Sequence, residues 1–81
     1  MIITVVERNY NLPEDYRDRY IGSPCVSWGE ARELAMAHMY EVEEVAEFHM
    51  DYTDHGRKYT AIHRETGEIL REYFLTVATM Y

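Results

Sequence analysis

The sequence predicts a single α+β domain, ordered as a strand, a short helix, a longer helix and then a three-stranded antiparallel meander, with the longer helix packed on one sheet face. Three patterns predict it. The chain opens on a β-branched run, a capping box at residue 27 precedes apolar residues at helical spacing, and the second half alternates apolar and polar side chains between tight turns. With 81 residues there is room for one hydrophobic core and no second domain.

Ile2 to Val6 is continuous and β-branched, which reads as a strand buried on both faces or at the middle of a sheet. Asn11-Leu12-Pro13-Glu14 has the form of a capping box with Pro in the first turn, predicting a short helix from Pro13 to about Tyr20 that ends at Gly22. Ile21 to Val26 carries Gly22 and Pro24 and reads as loop. Ser27-Trp28-Gly29-Glu30 is a clearer capping box, in which the Ser27 hydroxyl accepts from the Glu30 amide and the Glu30 carboxylate reaches back. A helix from Trp28 to about Tyr40 follows. Ala31, Leu34, Ala35, His38, Met39 and Val42 form its apolar stripe, with Arg32, Glu33 and Glu41 turned outward.

Alternation then takes over. Ala46, Phe48, Met50 and Tyr52 fall on one face of a strand, and Glu47, His49, Asp51 and Thr53 on the other. His55-Gly56 supplies a two-residue turn, which predicts Tyr52 opposite Tyr59, Met50 opposite Ala61, Phe48 opposite His63 and Glu47 opposite Arg64. The segment Glu65-Thr66-Gly67-Glu68 fits a second hairpin loop with Gly67 in the left-handed position, and Ile69 to about Ala78 forms the last strand. The pairing of the first strand is left open by the pattern.

The hydrophobic fraction is 47%, but eight of those residues are Tyr, whose hydroxyls need water or a partner. With two Phe and one Trp, a core this small is a candidate for completion by dimerisation or docking. Cys25 is the only cysteine, so no internal disulfide forms, and a chain opening without a signal-like segment is expected in a reducing cytoplasm. No apolar run approaches the ~18 residues of a membrane span, and an acidic balance disfavours anionic lipid surfaces.

The formal charge is -7, and it is localised: Glu33, Glu41, Glu43, Glu44, Glu47, Asp51 and Asp54 fall in a stretch without Lys or Arg, while the other eight acids offset the eight basic residues. Direct nucleic-acid binding needs clustered Lys and Arg, and only Arg57-Lys58 form a basic pair without an intervening acid. Catalysis finds little support. His49, Asp51, Asp54, His55 and His63 gather near one hairpin, but only His49 and Asp51 share a strand face. Cys25 reads as a structural thiol, and the four scattered glycines make no phosphate loop. No enzyme activity, metal or other cofactor is expected.

The acidic stretch has two readings, a solvated face that confers solubility or a set of carboxylates standing in for phosphates on a basic groove, with aromatic anchors beside them. Through its small size, compactness and acidic bias over the whole length, the chain resembles the acidic proteins that bacteriophages encode to block host defences, of the anti-CRISPR and anti-restriction type. That resemblance implies a non-catalytic inhibitor or adaptor, acting in the host cytoplasm on a protein or nucleoprotein complex with a basic surface. Glu41, Glu43, Glu44, Glu47, Asp51 and Asp54 are the candidate contacts, with Tyr40 and Tyr52 as anchors. Two alternatives compete with it. One is a structural or regulatory homo-oligomer, a homodimer in its simplest form, joined through the last strand (Tyr73, Phe74, Leu75, Val77) or an exposed sheet edge. The other is a metal-dependent hydrolase or sensor using His49 and Asp51.

Overall fold

Hydrogen bonding joins five strands into one antiparallel sheet in the computed structural model, which describes residues 1–42 and 46–78. The strands are β1 (Ile2–Asn9), β2 (Asp18–Tyr20), β3 (Ala46–Thr53), β4 (Gly56–His63) and β5 (Ile69–Ala78), in the order β2-β1-β5-β4-β3. The helix α1 (Trp28–Met39) lies on one face, so the class is α+β. The meander of β3, β4 and β5 is present, and β1 extends it by pairing along its whole length with β5, from Ile2 opposite Ala78 to Asn9 opposite Arg71.

Strand periodicity sends Ile3 and Val5 of β1, Tyr73 and Leu75 of β5 and Tyr59 of β4 to the helix side, where they bury with Ala31, Ala35 and Met39 of α1. Ser27 caps α1 as its sequence requires, its hydroxyl accepting from the Glu30 amide at 3.2 Å. The Glu30 carboxylate accepts from the Val26 amide at 3.4 Å, one residue earlier than a capping box places it. Thr4, Val6, Phe74 and Thr76 have the opposite parity and are half-buried on the face away from α1. Cys25 is buried and joins Ile3 in an isolated bridge, their backbones exchanging two 2.8 Å hydrogen bonds.

Three expectations need correction. The segment expected to be a helix from Pro13 to Tyr20 is a single 3-10 turn at Glu14–Tyr16 followed by β2. Pro13 opens the turn without a side-chain cap, and Asn9 rather than Asn11 makes the local bond, its side-chain oxygen accepting from the Asn11 amide at 3.0 Å. Pairing of Asp18–Tyr20 with Val6–Arg8 then determines the extended backbone.

The β3–β4 hairpin turns at Asp54-His55, one residue early, so the register differs by two from the expected one: Met50 is opposite Tyr59, Asp51 opposite Lys58 and Ala46 opposite His63. A slip of two residues keeps every side chain on its expected face. Gly56 is therefore a strand residue, and its φ is not positive. What it answers to is close approach, since a Cβ there would come within 3.0 Å of the Leu75 carbonyl carbon and 3.2 Å of the Trp28 ring. Gly67 does adopt the left-handed conformation expected of it, with φ 75°.

Finally, β5 cannot offer an oligomer edge. It is flanked by β1 and β4, and Tyr73 and Leu75 are fully buried. The outer strands are β2, three residues long, and β3, eight residues long.

Candidate functional site

The residues singled out by charge gather along β3 and its two ends. Tyr40 and Glu41 occupy a 3-10 turn at the end of α1, Glu47, Asp51 and Tyr52 lie on β3, and Asp54 is in the β3–β4 turn. All six are exposed. Glu43 and Glu44 lie outside the described residues. The strand divides the set by parity: Glu47 and Asp51 project from the sheet face opposite α1, and Tyr52 projects on the helix side.

Their electrostatics differ. Glu41 accepts a 2.8 Å hydrogen bond from Arg71, and that bond, reinforced by the guanidinium charge, holds its carboxyl below the usual range. One candidate negative charge is thus already countered. Glu47 lies 3.6 Å from His49 on the same face. Asp51 is opposite Lys58, but the Lys58 ammonium points to Glu72 at 3.3 Å, and among the described residues no base comes within ion-pair distance of Asp51 or Asp54. Tyr52 is 74% exposed, and its ring lies beside Arg57, whose guanidinium stacks 4.7 Å from the Trp28 centroid and 5.8 Å from that of Tyr52.

His49 and Asp51 are neighbours on one face, as parity required, while His55 occupies the turn. His63 is committed elsewhere, its Nδ1 accepting from the amides of Glu65 and Thr66 at 3.1 and 3.3 Å to hold the β4–β5 turn. The acids of 46–54 therefore form a strip along one strand rather than a convergent cage.

A second polar cluster was not anticipated from sequence. Glu7 of β1 is 1% exposed, accepts from the Tyr73 hydroxyl at 2.7 Å and from Arg19 at 2.9 Å, and lies 3.7 Å from Arg71. The signal was parity, since Glu7 continues the inward series Ile3 and Val5. On the other face Tyr10 donates to Glu72, and Arg8 binds Asp18 through two nitrogens at 2.7 and 3.0 Å, which holds that carboxyl below its usual range. Arg8 and Asp18 also line a surface hollow of about 450 Å³ with Tyr10, Glu14, Asp15 and Arg17, toward the sheet edge opposite β3.

Burial and the bond to the Glu7 carboxylate push the Tyr73 phenol well above its ordinary value of 10.0. The bond to Glu72, with burial, raises Tyr10, and burial raises the Cys25 thiol above 9.0. Each group keeps its proton in the native chain at a pH where the unfolded chain has released it, so the native state binds more protons and stability falls as pH rises. Stability is expected to be flat from neutral pH to about 8.5 and to drop beyond about 9 to 10, where the unfolded thiol and phenols ionise. Denaturant midpoints between pH 7 and 10.5 check this, and Tyr73→Phe should flatten the upper part of the decline.

Comparison with protein-family models, with curated proteins and with solved structures finds no match for this chain.

Proposed function

We propose that the chain is a non-catalytic protein-binding inhibitor or adaptor that docks the acidic strip along β3 onto the basic, nucleic-acid-binding surface of a protein or nucleoprotein complex, as phage-encoded anti-defence proteins do. The observation that carries the reading is the exposure of Glu47, Asp51 and Tyr52 on the edge strand β3 and of Asp54 in the turn after it, with Tyr40 and the Arg71-bound Glu41 exposed in the turn that ends α1. Carboxylates on a paired strand keep fixed spacing at small entropic cost, and an unbalanced charge steers encounter with a basic partner. Tyr52, held beside Arg57 yet mostly exposed, is the aromatic anchor.

Replacing Glu43, Glu44, Glu47 and Asp51 by Lys should abolish capture of a nucleic-acid-handling protein from host lysate while leaving the circular dichroism spectrum and melting temperature near wild type. Raising salt from about 0.05 to about 0.5 M should release the wild-type complex, because screening shortens the reach of surface charge. Equal capture by the two proteins, or a complex indifferent to salt, overturns the reading.

A further inference from the structure

Long edge strands are normally blunted by charged side chains, Lys above all, or by Pro, a bulge or shortness. β3 carries the acids Glu47 and Asp51 but none of the other devices: it runs eight residues without Pro, Lys or Arg, and pairs with β4 in unbroken register from Ala46 to Thr53. The opposite edge is blunted, since β2 is three residues long and carries Arg19.

Which β3 backbone groups point outward follows from the ladder. The Val77 amide donates to the His55 carbonyl at 3.0 Å, so odd-numbered β4 residues bond to β5 and even-numbered ones to β3. Because β3 pairs so that each odd residue faces an even residue of β4, the N–H and C=O groups of Phe48, Met50 and Tyr52 are directed away from β4. Among the described residues nothing pairs with that side.

We infer that this edge is built to pair antiparallel with β3 of a second copy, about a two-fold axis through Met50. A two-fold axis normal to the sheet brings together only residues of equal parity, and the possible registers differ in chemistry. Centred on His49, Asp51 would face Glu47 of the other copy; centred on Asp51, like carboxylates would meet. Centred on Met50, His49 faces Asp51 of the second copy twice, Phe48 faces Tyr52 twice, and Met50 meets itself. The His49 and Asp51 positions then form non-hydrogen-bonded pairs, in which side chains approach most closely. Met50 and Tyr52, 41% and 74% exposed, gain apolar cover on the helix side, and the two sheets become one. The inference stands on the open backbone edge and on side-chain pairing across the axis, and it engages Asp51 and Tyr52, which the proposed docking surface also uses.

Sedimentation equilibrium of the full chain from about 10 to about 500 µM tests it. Wild type should reach twice the monomer mass, and Met50→Lys, which sets two ammonium groups at the axis, should raise the dimer dissociation constant at least about tenfold with no change in melting of the monomer. Dimerisation should strengthen with salt, because each copy carries a charge of -7, the reverse of the dependence expected for a basic partner. Met50→Cys should oxidise to a covalent dimer, since a hydrogen-bonded antiparallel pair puts its Cα atoms about 5.5 Å apart, whereas Thr53→Cys should not. The native Cys25 is buried and does not compete. A chain that stays monomeric throughout, a dimer indifferent to Met50→Lys, or cross-linking through Thr53→Cys instead overturns the inference. So does protection of β3 amides from hydrogen exchange only on adding another protein, which would assign the edge to a foreign strand.

Discussion

Glu7→Leu is expected to lose about 3–5 kcal/mol of stability, the range for removing one member of a buried charge pair. Glu7 is fully buried and accepts from Tyr73 and Arg19 while lying beside Arg71. Leucine fills similar space but leaves the Tyr73 hydroxyl without its acceptor and takes one of two carboxylates from Arg71, whose side chain is 12% exposed. Arg19, 60% exposed, turns to water and suffers less. A domain of this size holds about 4–12 kcal/mol in total, so the variant should be marginal, with a melting temperature lower by more than about 10 °C. Tyr73→Phe removes only the donor and should cost about 1–2 kcal/mol. If Glu7→Leu melts within a few degrees of wild type, the cluster is solvated in solution and contributes little.

Gly56→Ala is the second large effect. The new methyl group would collide with the Leu75 carbonyl, a backbone group held in the β4–β5 ladder, and would press on the Trp28 ring that packs against the core. Backbone cannot rotate out of the way as a side chain can, so β4 must part from β5 at its start or Trp28 must leave its place over Arg57. A loss of about 2–4 kcal/mol is expected from overpacking at such a contact, where the usual cost of Gly to Ala in a strand is small or favourable. Denaturant unfolding measures the loss, and Gly29→Ala, where nothing lies within 4 Å, is the matched control expected to be neutral or stabilising. Equal behaviour of the two variants would mean that the β4–β5 approach is looser than described.

These two positions also mark what could be read from the chain and what could not. Local chemistry carried the helix, because Ser27 and the spacing of Ala31, Ala35 and Met39 determine its start and its buried face without outside help. The ends of β5 at Ile69 and Ala78 and the parity of β3 were equally legible, since period two survives a shift of register by two. Gly56 misled because turn and close approach both select glycine, and only the neighbouring strand distinguishes them. Asp18–Tyr20 is exposed throughout and has no apolar period, so its strand exists only by virtue of Val6–Arg8. Of the acidic candidates, exposure was readable for Glu47, Asp51 and Asp54, but the neutralisation of Glu41 depends on Arg71, thirty residues away in sequence. Glu7 was hidden by its charge, which argues for water until Tyr73 and Arg71 are seen beside it.

The pairing of β1 with β5 has a consequence for how the chain comes off the ribosome. Residues 2–9 acquire their main partner only when residues 69–78 have been made, so the first strand must wait for β5 to leave the ribosome. The β3–β4 hairpin, closed across two residues, can form long before. Folding is therefore expected to finish with the pairing of β1 and β5, the largest sequence separation bridged among the described strands, and a ribosome-bound fragment lacking β5 should remain protease-sensitive in Ile2–Asn9 while its hairpin is already hydrogen-bonded.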